Sequence, residues 1–332
     1  MKIILFILSF SIFLSLIMLL PVFSFPGGPG LTIDEPYEIW DKTHWIELGD
    51  SLDSNMDLPK RDQWHADKHF LLMRDIDNTI TKSISLNPIC SYFHSNGKKI
   101  TIVTDDVYSY IFSSTDALID SLISDGYVTG LAASGIVYYI GYRWNEYGTG
   151  TASIGTVTNC INNTTLTSIY GYIGGITYLN QGTISHCINN GSVTGVDFVA
   201  GISPDSFRGK IFNCINTGRI TATSPEIKEL YDYTGVAGIT IEAPIDLSNC
   251  INLGDIEGHY YVGGIASKSF TALGFPQTII SNCINAGYVK GKKYVGGIIG
   301  IDFDLQPADI YNCINTGIVE GEEDVGSIVG NK

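Results

Sequence analysis

Three sets of side chains in this chain are of types that could do chemistry. Seven cysteines could form disulfides or bind zinc, pairs of acidic residues could hold a cation or exchange protons, and two nearby histidines could share a metal ion. Six of the cysteines recur in one tripeptide, Cys-Ile-Asn. The spacing of each set along the chain indicates which of these chemistries it could perform.

The repeated cysteines are too far apart in sequence for a zinc knuckle, which needs pairs separated by about two to four residues. The cassette returns about every thirty residues, so stacked copies would place each thiol over the next. In-register parallel stacking points the Cβ atoms the same way, which fits disulfide geometry poorly. We therefore expect a ladder of buried free thiols, with Cys90 outside it and without an identifiable partner. The ladder residues are Cys160, Cys187, Cys214, Cys250, Cys283 and Cys313.

An asparagine stands two residues after each of these cysteines. Identical amides repeated at strand spacing can hydrogen-bond to the copies above and below, so we expect an amide ladder; a row of polar ligands for a partner is the alternative. In five of the six copies a glycine follows four residues after the cysteine, and we expect it to take a turn conformation open to few other residues. The asparagines are Asn162, Asn189, Asn216, Asn252, Asn285 and Asn315.

The remaining candidates for catalysis or metal binding are weaker. The acidic pairs are most simply solvated turns and strand ends, and His65 and His69 would share a metal only on a helix. The His-Glu-x-x-His motif, the Gly-x-Ser-x-Gly elbow and a phosphate-binding loop do not occur. The sequence therefore predicts no catalytic residue, metal or cofactor. The acidic pairs are Asp75 with Asp77, Asp105 with Asp106, and Asp302 with Asp304.

Aromatic residues cluster in two places and could form a stacking surface for sugars or a partner. Packing of loops over the side of the fold is the interpretation that we favour. The clusters are Tyr138, Tyr139, Tyr142, Trp144 and Tyr147, and further along the chain Tyr231 and Tyr233.

A second cassette follows each Cys-Ile-Asn and reads Val-Gly-Gly-Ile in its commonest form, as in Val295-Gly296-Gly297-Ile298. Short β-branched runs broken by Gly and Asn indicate strands and turns, and they lack the three-and-four spacing of helices. Insertions fall between the cassettes, at 222–233 and 268–278, and we expect them to be loops at fixed corners. The sequence predicts an all-β parallel β-helix (β-solenoid) of about seven turns. Leu122 takes the cysteine position in an earlier, degenerate copy.

The repeat resembles the GLUG-type repeats of bacterial surface and secreted proteins. The match covers residues 118–332, and the run from Gly287 to Gly300 is the closest copy. The resemblance implies an extracellular solenoid of the kind found in adhesins, and it carries no catalytic residue onto this chain.

Composition and the N-terminal segment further limit the functions that the chain could have. A net charge of −15 over 332 residues argues against nucleic-acid binding, which needs a basic face. Residues 1–24 read as a signal peptide, with an uncleaved membrane anchor as the alternative. Residues 25–117 read as an N-terminal α/β cap and first irregular turns, with Asp41 capping a helix whose apolar positions are Trp45, Ile46 and Leu48.

These features favour a non-enzymatic, exported β-solenoid: a secreted or cell-surface, adhesin-like binding and display protein. Its partner would be a protein or glycan ligand, contacted through loops such as 222–233, and its only contact with a membrane would be residues 1–24 if they are uncleaved. Two alternatives stay open. One is a carbohydrate-active β-helix enzyme, a polysaccharide lyase or hydrolase. The other is a structural segment of a larger surface assembly.

Overall fold

A computed structural model confirms the parallel β-helix. It describes residues 32, 34–51, 68–76, 84–86, 92–104, 108–115, 117–141, 155–206, 209–224, 234–269, 277–302 and 307–331. Within these ranges the strands form four parallel sheets, and from Ile84–Leu86 onward the chain visits them in the same order on each circuit. We call one circuit a rung. No helix in the described ranges is long and apolar enough to cross a membrane.

The four sheets are numbered in the order in which a rung passes through them. The first contains Tyr37–Ile39, His69–Leu72, Tyr92–His94, Leu118–Asp120, Thr156–Thr158, Thr183–Ser185, Lys210–Phe212, Asp246–Ser248, Ile279–Ser281 and Asp309–Tyr311. The second contains Lys99–Thr104, Ile123–Gly130, Ile161–Asn162, Thr165–Ser168, Ile188–Asn189, Val193–Gly195, Ile215–Asn216, Ile220–Ala222, Ile251–Asn252, Ile256–Glu257, Ile284–Asn285, Val289–Lys290, Ile314–Asn315 and Val319–Glu320. The third contains Tyr108–Ser109, Ala132–Ser134, Tyr172–Gly174, Phe198–Ala200, Gly235–Ala237, Tyr260–Gly263, Lys293–Gly296 and Glu323–Gly326. The fourth contains Ile84–Leu86, Phe112–Thr115, Val137–Ile140, Thr177–Asn180, Ser203–Asp205, Thr240–Glu242, Ala266–Ser269, Ile299–Asp302 and Val329–Asn331.

The cassettes hold register from rung to rung. Ile188 pairs with Ile215 and Ile215 with Ile251, so each residue of the cassette lies over its own copy. The aliphatic residue three before the cysteine points inward and is buried in the first five copies, as at Val157 and Ile184, and is partly buried at Ile310. One rung cannot bury this apolar side alone, and stacking produces one continuous core.

The corner between the first and second sheets explains the residue that precedes each cysteine. The six residues at this position have φ between 53° and 56°, in the left-handed region. Asparagine adopts this region more readily than most residues because its short polar side chain is tolerated there. The corner residues are Asn159, His186, Asn213, Asn249, Asn282 and Asn312.

The N-terminal part carries the single helix of the described residues, Lys42–Ser51. The Asp41 carboxylate accepts hydrogen bonds from the amides of Thr43 and His44 at 2.8 and 3.1 Å, which caps the helix. Trp45 and Leu48 are buried, and the Trp45 ring packs edge-on at 6.0 Å from the Phe93 ring. Ile46 is 40% exposed, so its assignment to the apolar side of this helix was wrong. It points to solvent while Trp45 and Leu48 face the core.

Candidate functional site

The repeated asparagines form a continuous hydrogen-bonded ladder inside the solenoid. Each side-chain Nδ2 donates to Oδ1 of the asparagine in the next rung, at 2.7 or 2.8 Å from Asn162 through to Asn315. The same Nδ2 groups also donate to backbone oxygens two residues on, as from Asn216 to Gly218 at 2.9 Å. The first five of these asparagines have no exposed surface. The alternative of a polar row that binds a ligand is therefore wrong, because a ligand cannot reach them.

The second cassette packs directly on the amide ladder. A Cβ atom on Gly201 would lie 2.1 Å from the Gly238 oxygen and 2.6 Å from Cγ of Asn216. The second glycine of the cassette makes equivalent approaches at Gly175, Gly238, Gly264 and Gly297. The two cassettes are separate in sequence but pack together, because the glycine of one leaves space for the asparagine amide of the other.

The glycine four residues after each cysteine has a different role from the one expected. None of Gly191, Gly218, Gly254, Gly287 and Gly317 has φ in the left-handed region, so the turn explanation was wrong. A Cβ atom on Gly218 would lie 2.0 Å from the Gly191 oxygen and 3.0 Å from Nδ2 of Asn189. Close approach of neighbouring rungs is what requires glycine here.

The thiols lie in a second internal column. Each Sγ is within hydrogen-bond distance of the carbonyl two residues earlier, at 3.2 Å in Cys160 and 3.3 Å in Cys187. Burial raises the pKa of the thiols of Cys160, Cys187, Cys214 and Cys250 well above its ordinary value. The six cysteines of the ladder are free thiols, and Cys313 alone among them is only half-buried. Protonated, enclosed thiols are poor nucleophiles.

We expect the thiol ladder to be inert in the folded protein. In a Cys90→Ser background, a soluble disulfide reagent should modify Cys313 first and leave the five buried thiols unreacted until the protein is unfolded in guanidinium chloride. Mass spectrometry of the labelled peptides measures this order. Rapid labelling of Cys214 in the folded state would show that the column is open to solvent.

Those of the other sequence candidates that lie in the described ranges do not assemble into a metal or catalytic site. Asp75 accepts a hydrogen bond from the Lys99 amide at 2.9 Å, and the Asp302 carboxylate accepts one from the Ala308 amide at 2.9 Å and one from the Ser269 hydroxyl. His69 begins a strand, so a helical histidine pair does not form. His65, Asp77, Asp105, Asp106, Asp304, Cys90, Tyr142, Trp144, Tyr147 and the loop 225–233 lie outside the described residues. Within the described ranges no group of three or more His, Cys, Asp or Glu could hold a metal ion.

Aromatic residues line the outer side of the corner between the third and fourth sheets. We call this set the aromatic seam; it comprises Tyr110, Tyr138, Tyr139, Tyr172, Tyr178 and Phe198. The Tyr172 and Phe198 rings stack at 3.9 Å, and Tyr172 meets Tyr178 edge-on at 5.4 Å across the two sheets. The Tyr138 ring stacks on the Tyr178 ring at 4.4 Å. Burial is the main cause that raises the pKa of the Tyr138 phenol, and its hydrogen bond with Tyr139 is the second. The rings mostly contact one another, so the seam packs the two sheets together.

Three charged residues follow the seam on the outer face of the fourth sheet. Asp205 pairs in register with Glu242, and Glu242 with Lys268; we call these residues the charged row. The preceding residue of the same column is Leu179 and the following one is Ile301. Lys268 is only 4% exposed, and its Nζ lies 4.5 Å from the centre of the Tyr261 ring.

The charged row is electrostatically unusual. Burial, reinforced by the neighbouring Asp205 carboxylate, raises the pKa of Glu242 from 4.5 to about 7, with the Lys268 ammonium acting in the opposite direction. Removing charged groups from water costs free energy that an apolar residue does not incur. Leu179 and Ile301 show that the column accepts aliphatic side chains. Three charged residues here therefore make the fold less stable than aliphatic ones would, as is common at functional sites.

Sequence reasoning missed the charged row. Its members come from three rungs and stand 37 and 26 residues apart, outside both cassettes. Aligning the repeats by the fourth-sheet strand, rather than by the cysteine, would have placed these three charged residues in one column, between Leu179 and Ile301.

Comparisons with known proteins support the fold and assign no function. No protein-family profile matches the chain, so the GLUG-type resemblance stays a prediction. No curated protein matches it. Among solved structures, it is similar to a Bacteroides ovatus protein provisionally named an immunoglobulin A1 protease, with a TM-score of 0.57 and 19% identity over 92% of this chain and 85% of that chain. Similarity at this level of identity supports the β-helix architecture and carries no activity across.

Proposed function

We propose that this chain is an exported, adhesin-like binding protein that holds a glycan at the charged row. The observation that supports the proposal is the column itself, in which Asp205, Glu242 and Lys268 replace the aliphatic residues of neighbouring rungs. The apolar residues 1–24, the resemblance to GLUG-type surface proteins and the β-helix fold are consistent with export. The binding role rests on the charged row, since the two internal ladders are closed to ligands.

The chemistry of the row suits a neutral glycan. The half-buried Asp205 and Glu242 carboxylates can accept hydrogen bonds from sugar hydroxyls, and the buried Lys268 lies beside Glu242 in the row. Near Glu242, Tyr172 packs against a small buried cluster of Phe198, Ala200 and Ile241, and its half-buried ring offers contact for the apolar face of a sugar ring. The net charge of −15 disfavours acidic glycans.

Glycan-array binding with matched variants tests this proposal. Glu242→Leu copies Leu179 of the same column, two rungs earlier, and Lys268→Ile copies Ile301 of the next rung, so both should fold. Each should weaken binding to the best neutral glycan at least about tenfold, the loss expected for one buried polar contact. Glu257→Leu is the control, because Glu257 is an exposed acid on another sheet that is paired to Arg219 at 2.6 Å. Unchanged binding by both row variants would contradict the proposal, and binding only to protein arrays would point to a protein partner.

The raised pKa of Glu242 also predicts a pH dependence of stability. The folded state holds the Glu242 proton up to about pH 7, whereas the unfolded chain releases it near 4.5, so this group makes the fold less stable as pH rises between these values. The loss is at most about 3.5 kcal/mol, because one pKa unit corresponds to about 1.4 kcal/mol. Urea midpoints at pH 5 and pH 8 should differ more for the wild type than for Glu242→Gln. An equal difference in the two proteins would show that Glu242 ionises normally.

A glycan-cleaving enzyme is the second candidate, and the Asp205–Glu242 pair is the observation that favours it. A carboxyl group that keeps its proton near neutral pH beside a second carboxylate is an arrangement used for general acid catalysis of glycoside hydrolysis. Incubating the bound glycan with the protein and measuring new reducing ends separates the two candidates. Release that is lost in Glu242→Gln supports an enzyme, and an intact glycan supports binding alone.

A further inference from the structure

A groove of about 650 Å³ lies on the outer side of the corner between the first and second sheets, far along the chain from the charged row. We call it the corner groove. Its walls span neighbouring rungs near the N-terminal end of the solenoid, and they include Leu71, His94, Asp120, Ile123, Asn159 and Ile161. Its volume falls in the range of small-molecule binding sites.

One wall of the corner groove is polar and held in place. The Asp120 Oδ1 atom accepts a hydrogen bond from Asn159 Nδ2 at 2.8 Å, and its Oδ2 atom faces Nδ1 of His94 at 4.0 Å. The His94 ring lies parallel to the His69 ring at 5.8 Å, which fixes its orientation. Nε2 of His94 is buried and has no hydrogen-bond partner within the described residues. This atom has no surface open to the groove, so His94 contributes to the wall through Nδ1, which faces the Asp120 carboxylate.

The opposite wall is aliphatic. Ile123 and Ile161 are register partners in the second sheet and belong to a column of outward isoleucines that continues through Ile215. Their side chains are half-buried on the sheet surface. The groove therefore combines an apolar face with carboxylate, amide and imidazole groups.

The chemistry of both walls limits the class of ligand that the corner groove could bind. The lining residues include one carboxylate and no cationic side chain in the described part of the chain, which disfavours an anion. Backbone amides along these strands are used between rungs, so a peptide would find no free edge to extend. A short saccharide has both hydroxyl donors and an apolar ring face.

We propose that the corner groove is a second ligand site, separate from the charged row, that binds a short neutral oligosaccharide. The hydroxyls of the saccharide would donate to the Asp120 carboxylate, and its apolar face would lie on Ile123 and Ile161. The proposal stands whether or not the charged row binds a glycan, because no residue is shared between the two sites.

The repeat supplies matched controls for a test with the full chain. Isothermal titration with cello-, xylo-, manno-, malto- and chito-oligosaccharides would identify the best neutral ligand. Ile161→Lys and Asn159→Ala change the groove, while Ile215→Lys and Asn213→Ala make the same changes at equivalent positions two rungs on, outside it. We expect the first pair to weaken binding at least tenfold and the second pair to leave it within twofold. Thermal melts of all four variants check that each pair is equally folded.

The outcomes separate this proposal from the proposed function. Binding that is lost in the groove pair and kept in Glu242→Leu supports the corner groove. Binding that is lost in Glu242→Leu and kept in the groove pair overturns it while leaving the charged row intact. It is also overturned if no neutral oligosaccharide binds at millimolar concentration, or if the groove and control pairs weaken binding equally.

Discussion

Replacing Asn216 by alanine should lower the free energy of unfolding by about 4 kcal/mol. The side chain accepts a hydrogen bond from Asn189 at 2.7 Å and donates to Asn252 at 2.8 Å and to Gly218 at 2.9 Å. Alanine would leave one donor and two acceptors buried without partners, and each costs roughly 1–3 kcal/mol. The loss falls in the middle of the ladder, where neighbouring amides polarise one another. Urea unfolding followed by circular dichroism measures the change.

A control for this prediction lies one residue beyond the ladder. Asn190 also bonds to its counterpart, donating to Asn163 at 2.9 Å, but it is exposed on the outer face of the second sheet. Asn190→Ala should change stability by less than about 0.5 kcal/mol, because water replaces the lost partner. Equal losses for the two variants would mean that the ladder contributes no more than a surface contact.

The fold could be predicted from the sequence because each copy of the cassettes places the same residue types at the same positions. Cys214, Asn216 and their copies are separated by similar distances and followed by strand-forming residues, so register follows from repetition. The corner asparagines, such as Asn213, were visible in the pattern but had no explanation until their positive φ was seen. The link between Gly201 and Asn216 was invisible in sequence, because the two residues come from different rungs and meet only across the core.

The surface sites were harder to predict for a physical reason. A ladder residue recurs in successive rungs and therefore gives a periodic pattern in the sequence. The residues of a ligand site occur only once, so they give no such pattern. Glu242 and Lys268 stand in a column that also holds Tyr139, Leu179 and Asn331, so the column has no repeating residue type. His94 and Asp120 meet only because their strands are neighbours in the first sheet. Predicting such sites from sequence requires the register of every strand, including those of the irregular N-terminal rungs.

Replacing Gly201 by alanine should destabilise the fold by about 3 kcal/mol or more. A Cβ atom there would lie 2.1 Å from the Gly238 oxygen and 2.6 Å from the amide carbon of Asn216, so the backbone of one rung and the ladder of the next would both have to move. Overpacking of a tight core commonly costs about 1–3 kcal/mol, and a clash with backbone is relieved less easily than one with a flexible side chain. Urea unfolding of the purified variant measures the loss, and accumulation in inclusion bodies would be its extreme form.

The sixth copy of the second cassette provides the comparison. Ser327 occupies the glycine position there, it is exposed, and within the described residues no asparagine of a further rung lies against it. The Ser327 side chain meets no ladder amide among the described residues, so Ser327→Ala should change stability by less than about 0.5 kcal/mol. If Gly201→Ala were equally mild, the cassette glycines would be needed for something other than room for the amide ladder. A large loss at Gly201 alone would instead establish that the two cassettes act together across each pair of rungs.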